Sequence, residues 1–175
     1  MSQRILDIAP QERTAEQNEI FERLTAGRGR ILTPYRVWIH SPRVAAPMEQ
    51  LGTYLNKHSS LSYLEVEMII LVVAVHWQAD YVVHAHVREG KKAGLEQDIL
   101  NNLCAGEIPR LENSHERAVY EFASSVIQGR RLSDKKFAAL ESELKRQGIA
   151  DLLVLIGYYT SVALAMKVHD VPLPD

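Results

Sequence analysis

Residues 68–75 read MIILVVAV, eight apolar residues with no turn former among them. A bilayer crossing takes roughly 20 such residues, so the run is too short to span one. It lies inside the longer stretch SSLSYLEVEMIILVVAVHW (59–77), where Ser62 stands three residues before Glu65. That is the spacing of a capping box, in which each side chain bonds the other's backbone N–H. The Ile/Val content alone suits a strand. The length of the pattern and the lack of a hairpin turn predict a buried helix instead.

The rest of the chain repeats helical spacing. Residues 12–25 place Ile20, Phe21 and Leu24 on one face, and Gly27 and Gly29 are expected to break that helix. Residues 30–41 read as irregular, punctuated by Pro34 and Pro42. Pro42 is expected to open the next helix, PRVAAPMEQLGTYLN. Asp80 is expected to cap YVVHAHVREGKKA, which Gly94 ends. Gly106 closes GLEQDILNNLCAG, and Asn113 with Glu116 forms a second candidate box before HERAVYEFASSVIQG, closed by Gly129. Ser133 opens DKKFAALESELKRQG, closed by Gly148, and the last helix runs over 149–169 until Pro172 and Pro174. About eight helices with short connections predict an all-α class, a single-domain multi-helical bundle over residues 1–175.

The chain's 175 residues fit one domain, and its formal charge of −2 gives no electrostatic case for a nucleic-acid partner. Arg28/Arg30 and Lys91/Lys92 read as solvated surface. The N-terminus MSQRILDIAPQERTAEQ lacks the apolar core of a signal peptide. No membrane association and a cytoplasmic location are therefore expected. The single cysteine, Cys104, excludes dithiol chemistry within one chain and reads as a buried, inert thiol.

VHWQADYVVHAH (75–86) holds three histidines and an aspartate. Residues two apart on a helix point about 200° apart, so His84 and His86 cannot clamp one metal from one face. The four-residue series His76, Asp80, His84 has better spacing for a metal. It crosses an expected helix break, so no metal and no cofactor is the favoured expectation. His86 lies toward the apolar face of its helix. His84 reads as rim, His76 is undecided, and Asp80 is a cap before it is a catalyst.

The segment from HSPRVAAPMEQLGTYLN through KKAGLEQDI resembles the carboxymuconolactone decarboxylase-like family, which includes the alkylhydroperoxidase-D-like proteins. Glu67 begins the apolar stretch, Trp77 and Tyr81 follow, and His86 comes 19 residues after the glutamate. KKAGL (91–95), ERAVYEFA (116–123) and LIGYYTSVALAMKV (155–168) match later features, so the similarity covers roughly residues 30–170. It implies the alkylhydroperoxidase-D-like helical fold. It also implies a homo-oligomer, trimer or hexamer, which the long apolar C-terminal helix (149–169) would suit.

The departures are specific. The peroxidase branch carries C-x-x-C where this chain has Ala79 and Val82, and a relay histidine where it has Tyr81. Thiol peroxidase chemistry is therefore not expected, and a peroxidase or antioxidant role would be inherited from the family alone. The lactone decarboxylases keep the histidine but not characteristically the glutamate. What the resemblance leaves is a Glu–His pair, Glu67 and His86, near a subunit interface. A carboxylate orients an imidazole and fixes its tautomer, and such a histidine can act as general acid and base. The expectation is a cofactor-free lyase or isomerase acting on a small carboxylated lactone or enolisable acid. His86 and Glu67 would be catalytic, Trp77, Tyr81, Ala79 and Val82 would line the pocket, and Arg36 or Arg88 would receive a substrate carboxylate. A non-catalytic, oligomeric small-molecule binder is the alternative.

Overall fold

The computed structural model describes residues 4–28 and 31–173. Among these, eight α-helices and one short 3-10 turn (Pro10–Glu12) carry the fold, with no strand. The helices are α1 Ala15–Arg28, α2 Thr33–Trp38, α3 Pro42–Lys57, α4 Tyr63–His76, α5 Asp80–Ala93, α6 Gln97–Ala105, α7 Ser114–Ile127 and α8 Asp134–Val168.

The apolar run forms the centre. Met68, Ile69, Ile70, Leu71, Val73 and Ala74 of α4 are fully buried, and α3, α5, α6, α7 and α8 all pack against this helix. A helix apolar on every face is stable only when wrapped this way. Both halves of the expected capping box are present. Ser62 Oγ accepts from Glu65 N at 3.2 Å, and Ser62 N donates to Glu65 Oε2 at 2.7 Å. Asn113 caps α7 through its side-chain oxygen, and Ser133 caps α8 in the same way. Gly94, Gly106 and Gly129 adopt the left-handed conformations expected of helix ends.

Four expectations change. Residues 33–38 are helical, because Pro34 occupies the first turn of α2, where its missing N–H costs nothing. Asp80 is the first residue of α5 and not its cap; Ala79 holds the cap position without a side-chain bond. Gly27 lies inside α1, and Gly29 and Arg30 fall outside the described residues. The break expected at Gly148 comes at Lys145 (φ 59°, ψ 175°), where α8 bends. Gly148 stays helical and buried, and a Cβ there would press on Leu144 at 3.0 Å.

α8 is long and apolar enough by composition to cross a membrane, with a mean hydropathy of 1.8 over 18 residues. Most of that window is buried against the other helices, as in a core helix of a globular domain.

Candidate functional site

Glu67 and His86 sit on the two helices that flank the Trp77–Ala79 junction. Both lie a few turns from that junction, so the two side chains meet. His86 Nδ1 is 2.7 Å from Glu67 Oε2. Glu67 is 2 % exposed, while the His86 side chain keeps 19 % of its surface. The carboxylate is thus inside the protein and the imidazole stands between it and a cavity. A carboxylate accepting from Nδ1–H leaves Nε2 as the nitrogen that exchanges protons. The ring also meets Tyr159 edge to face at 5.4 Å.

The cavity measures about 350 Å³, within the size range of small-molecule sites. One wall is the α5 face that carries Tyr81, Val82, Ala85 and His86; another is the α8 face of Tyr158, Tyr159, Val162 and Met166. α2 and α3 close it with Thr33, Tyr35, Gly52 and Asn56. The polar atoms are mostly hydroxyls in pairs. Tyr81 and Thr33 hydroxyls lie 2.7 Å apart, those of Tyr35 and Tyr158 lie 3.2 Å apart, and Tyr159 donates to Asn56 Oδ1 at 3.3 Å. Two bonded hydroxyls own two protons and share one, so the Tyr81–Thr33 couple retains a proton for a ligand oxygen.

Glycine is required where α3 passes the tyrosines. A Cβ on Gly52 would overlap the Tyr158 hydroxyl and lie 3.0 Å from that of Tyr35. At the exposed rim, Arg88 Nε donates to Glu89 Oε1 at 3.2 Å. Glu89 also accepts from Lys92 Nζ at 2.8 Å and from the Tyr63 hydroxyl at 3.0 Å. The Lys92 bond, helped by those of Tyr63 and Arg88, outweighs partial burial and holds Glu89 below the usual carboxylate range. Tyr63 moves the other way, to about 12, through burial, its bond to Glu89 and the nearby charges of Glu67 and Glu89.

Of the residues expected to line a pocket, Tyr81 and Val82 do so and Trp77, Ala79 and Arg36 do not. Trp77 turns toward α8, where its indole N–H donates to Thr160 Oγ1 at 3.2 Å. Ala79 is buried at the start of α5. Arg36 is engaged elsewhere, gripping Asp7 through two bonds of 2.6 and 2.8 Å. The tyrosines of α8 were not anticipated, although the tandem Tyr158–Tyr159 inside an apolar helix is an anomaly that could have flagged them.

His76 and His84 are exposed. Among the described residues no three His, Cys, Asp or Glu side chains gather to hold a metal, so the His76–Asp80–His84 series does not converge. Cys104 is exposed and not buried as expected, because it falls on the outer side of α6. Partial burial of its thiol still pushes its pKa up, away from thiolate character. It does not line the cavity.

No curated protein matches the chain in sequence at a significant level. Solved structures do match in fold. An uncharacterised peroxidase-related protein from Silicibacter sp. TM1040 superposes with a TM-score of 0.77 at 18 % identity, over 97 % of this chain and 91 % of its own. An alkylhydroperoxidase AhpD core protein from Ralstonia eutropha JMP134, also peroxidase-related and uncharacterised, gives 0.79 at 15 % identity, over 98 % and 92 %. A Cys-to-Ala variant of the debrominase Bmp8, in complex with 2,3,4-tribromopyrrole, gives 0.74 at 11 % identity, over 99 % and 93 %. The sequence model of the carboxymuconolactone decarboxylase family matches residues 42–125, the segment that supplies both Glu67 and His86. The chain thus carries, over just under half of its length, a segment that matches the carboxymuconolactone decarboxylase family, set within the alkylhydroperoxidase-D-like helical fold of these structures.

Proposed function

We propose that this protein is a cofactor-free acid–base enzyme that moves a proton at carbon in a small enolisable lactone or acid. The observation that supports it is the 2.7 Å contact between buried Glu67 and His86, with the imidazole lining a cavity. Glu67 is the positioning residue and His86 the catalytic one. His86 Nε2 takes the proton from the carbon next to a carbonyl. The C–H electron pair moves into the new C=C bond and the carbonyl π pair onto oxygen, giving an enolate. The Tyr81–Thr33 couple is suited to donate to that oxygen. The imidazolium then returns the proton to the same carbon or to a conjugated one, which isomerises the double bond. The same constellation serves loss of CO₂. There the C–C electron pair replaces the C–H pair, and a protonated His86 delivers the proton to carbon.

The test is hydrogen–deuterium exchange at carbon, followed by NMR in D₂O with an unsaturated γ-lactone, alongside CO₂ release from 4-carboxymuconolactone. General acid–base groups contribute about 10²–10⁴-fold, so His86→Ala should lose at least that much. Glu67→Gln should retain weak exchange with an altered pH profile. Folded wild-type protein that catalyses neither reaction above buffer, or His86→Ala that keeps full rate, refutes the reading.

A further inference from the structure

The lining of the cavity limits the charge of what enters it. His86 is the sole titratable cation in its interior among the described residues, and the Glu67 carboxylate already faces that ring. The remaining interior polar groups are hydroxyls and one amide, Asn56. They donate hydrogen bonds to a neutral oxygen but do not neutralise a carboxylate, and a buried unpaired charge is costly. The rim differs. Arg88, Glu89 and Lys92 together leave one net positive charge there, with the Arg88 side chain 73 % exposed.

We infer that the substrate is an enolisable lactone or ketone that enters with an uncharged carbonyl end first and carries at most one carboxylate, held at the rim by Arg88. This rests on the acid–base reading of the same site and narrows it. Apolar carbon packs on Tyr158, Val162 and Met166, and the carbonyl reaches the Tyr81–Thr33 couple. The reacting carbon then lies at His86. A dicarboxylate would leave its second charge against the tyrosine wall. The favoured chemistry is therefore proton transfer with double-bond migration, in which no carboxylate leaves from the inner end.

The experiment compares three butenolides of one skeleton: the acetic methyl ester, the free acetate, and the acetate bearing a second ring carboxylate. Dissociation constants are measured by calorimetry on wild type and Arg88→Ala, and carbon exchange is followed in parallel. The expected order is acetate tightest, ester within about tenfold, and the dicarboxylate at least about tenfold weaker than the acetate. Arg88→Ala should weaken the acetate by about threefold to fivefold, the scale of an exposed ion pair, and leave the ester unchanged. A dicarboxylate that binds as tightly as the acetate overturns the inference. So does the failure of both the ester and the acetate to bind. If the expected order appears without exchange in any compound, the charge rule stands and the acid–base reading falls. His86-dependent exchange with the dicarboxylate as best ligand gives the reverse result.

Discussion

His86→Ala leaves the Glu67 carboxylate without the imidazole that sits 2.7 Å from it. Glu67 is 2 % exposed, so bulk water does not simply take the vacated place. Removing one partner of a buried pair costs about 3–5 kcal/mol, because the other charge stays buried and unpaired. The His86 side chain is 19 % exposed and borders a cavity, so water entering the gap recovers part of this. The expected loss is near the low end, about 3 kcal/mol. For a chain of 175 residues this corresponds to ~6–12 °C in Tm. Glu67→Gln behaves differently, since the amide oxygen still accepts from Nδ1–H and a buried charge is gone. Its stability should stay within about 1 kcal/mol of wild type. The double variant E67Q/H86A should be about 1–2 kcal/mol more stable than H86A alone, because an unpaired amide is cheaper to bury than an unpaired carboxylate. The assay is urea unfolding at pH 7, read as midpoints at constant slope. A loss below about 1 kcal/mol for H86A, or no recovery in the double variant, would show that the pair does not hold a buried charge. The orienting role assigned to Glu67 would fall with it.

Gly52→Ala places a methyl on the Tyr158 hydroxyl and should cost about 1–3 kcal/mol by overpacking. Thermal unfolding measures that cost, and calorimetry on the acetate ligand should show weakened binding as the cavity wall moves. Tyr63→Phe tests the phenol held at about 12. The folded state keeps this proton more tightly than the unfolded chain, so its contribution is full below pH 10 and is lost as pH rises toward 12. Ultraviolet titration of wild type should show a late tyrosine step near the upper end of that window, absent from Y63F, and the alkaline fall in stability should become shallower. Lys145 holds φ 59°, ψ 175°, a region open to glycine and strained for other residues by about 1–3 kcal/mol. Lys145→Gly should therefore raise stability by about 1 kcal/mol after the added backbone entropy of glycine, seen as a higher urea midpoint; a lower midpoint would refute the strain.

What the sequence made legible was local. The Ser62–Glu65 box forms because two side chains three residues apart bond each other's backbone, and nothing distant is needed. The apolar run of α4 has one outcome in a chain this size, which is burial. Lys145 defeats the same logic, since no local rule asks a lysine to adopt a positive φ, while Gly148 attracts a break it does not make. The contact between Glu67 and His86 was within reach because both sit on consecutive helices joined by a short junction. The cavity was not, because its walls come from α2, α3, α5 and α8, and only packing brings these together.

The two arginines considered for a substrate carboxylate show where the boundary falls. Arg36 and Arg88 are equivalent by residue type, but only Arg88 borders the cavity. Arg36 is withdrawn by Asp7, 29 residues upstream, through a bidentate pair that no pattern in the sequence announces. Arg88 shares Glu89 with Lys92, three residues on, so its charge is not cancelled. That sharing follows from helical spacing and was open to reading. Arg88 lies on the same helix as Tyr81 and His86, so α5 carries the hydroxyl donor, the acid–base group and the cation in that order along its length, all bordering the cavity. The specificity proposed for the site is therefore carried by the side chains of a single helix, with α8 and α2 supplying the wall against which they act.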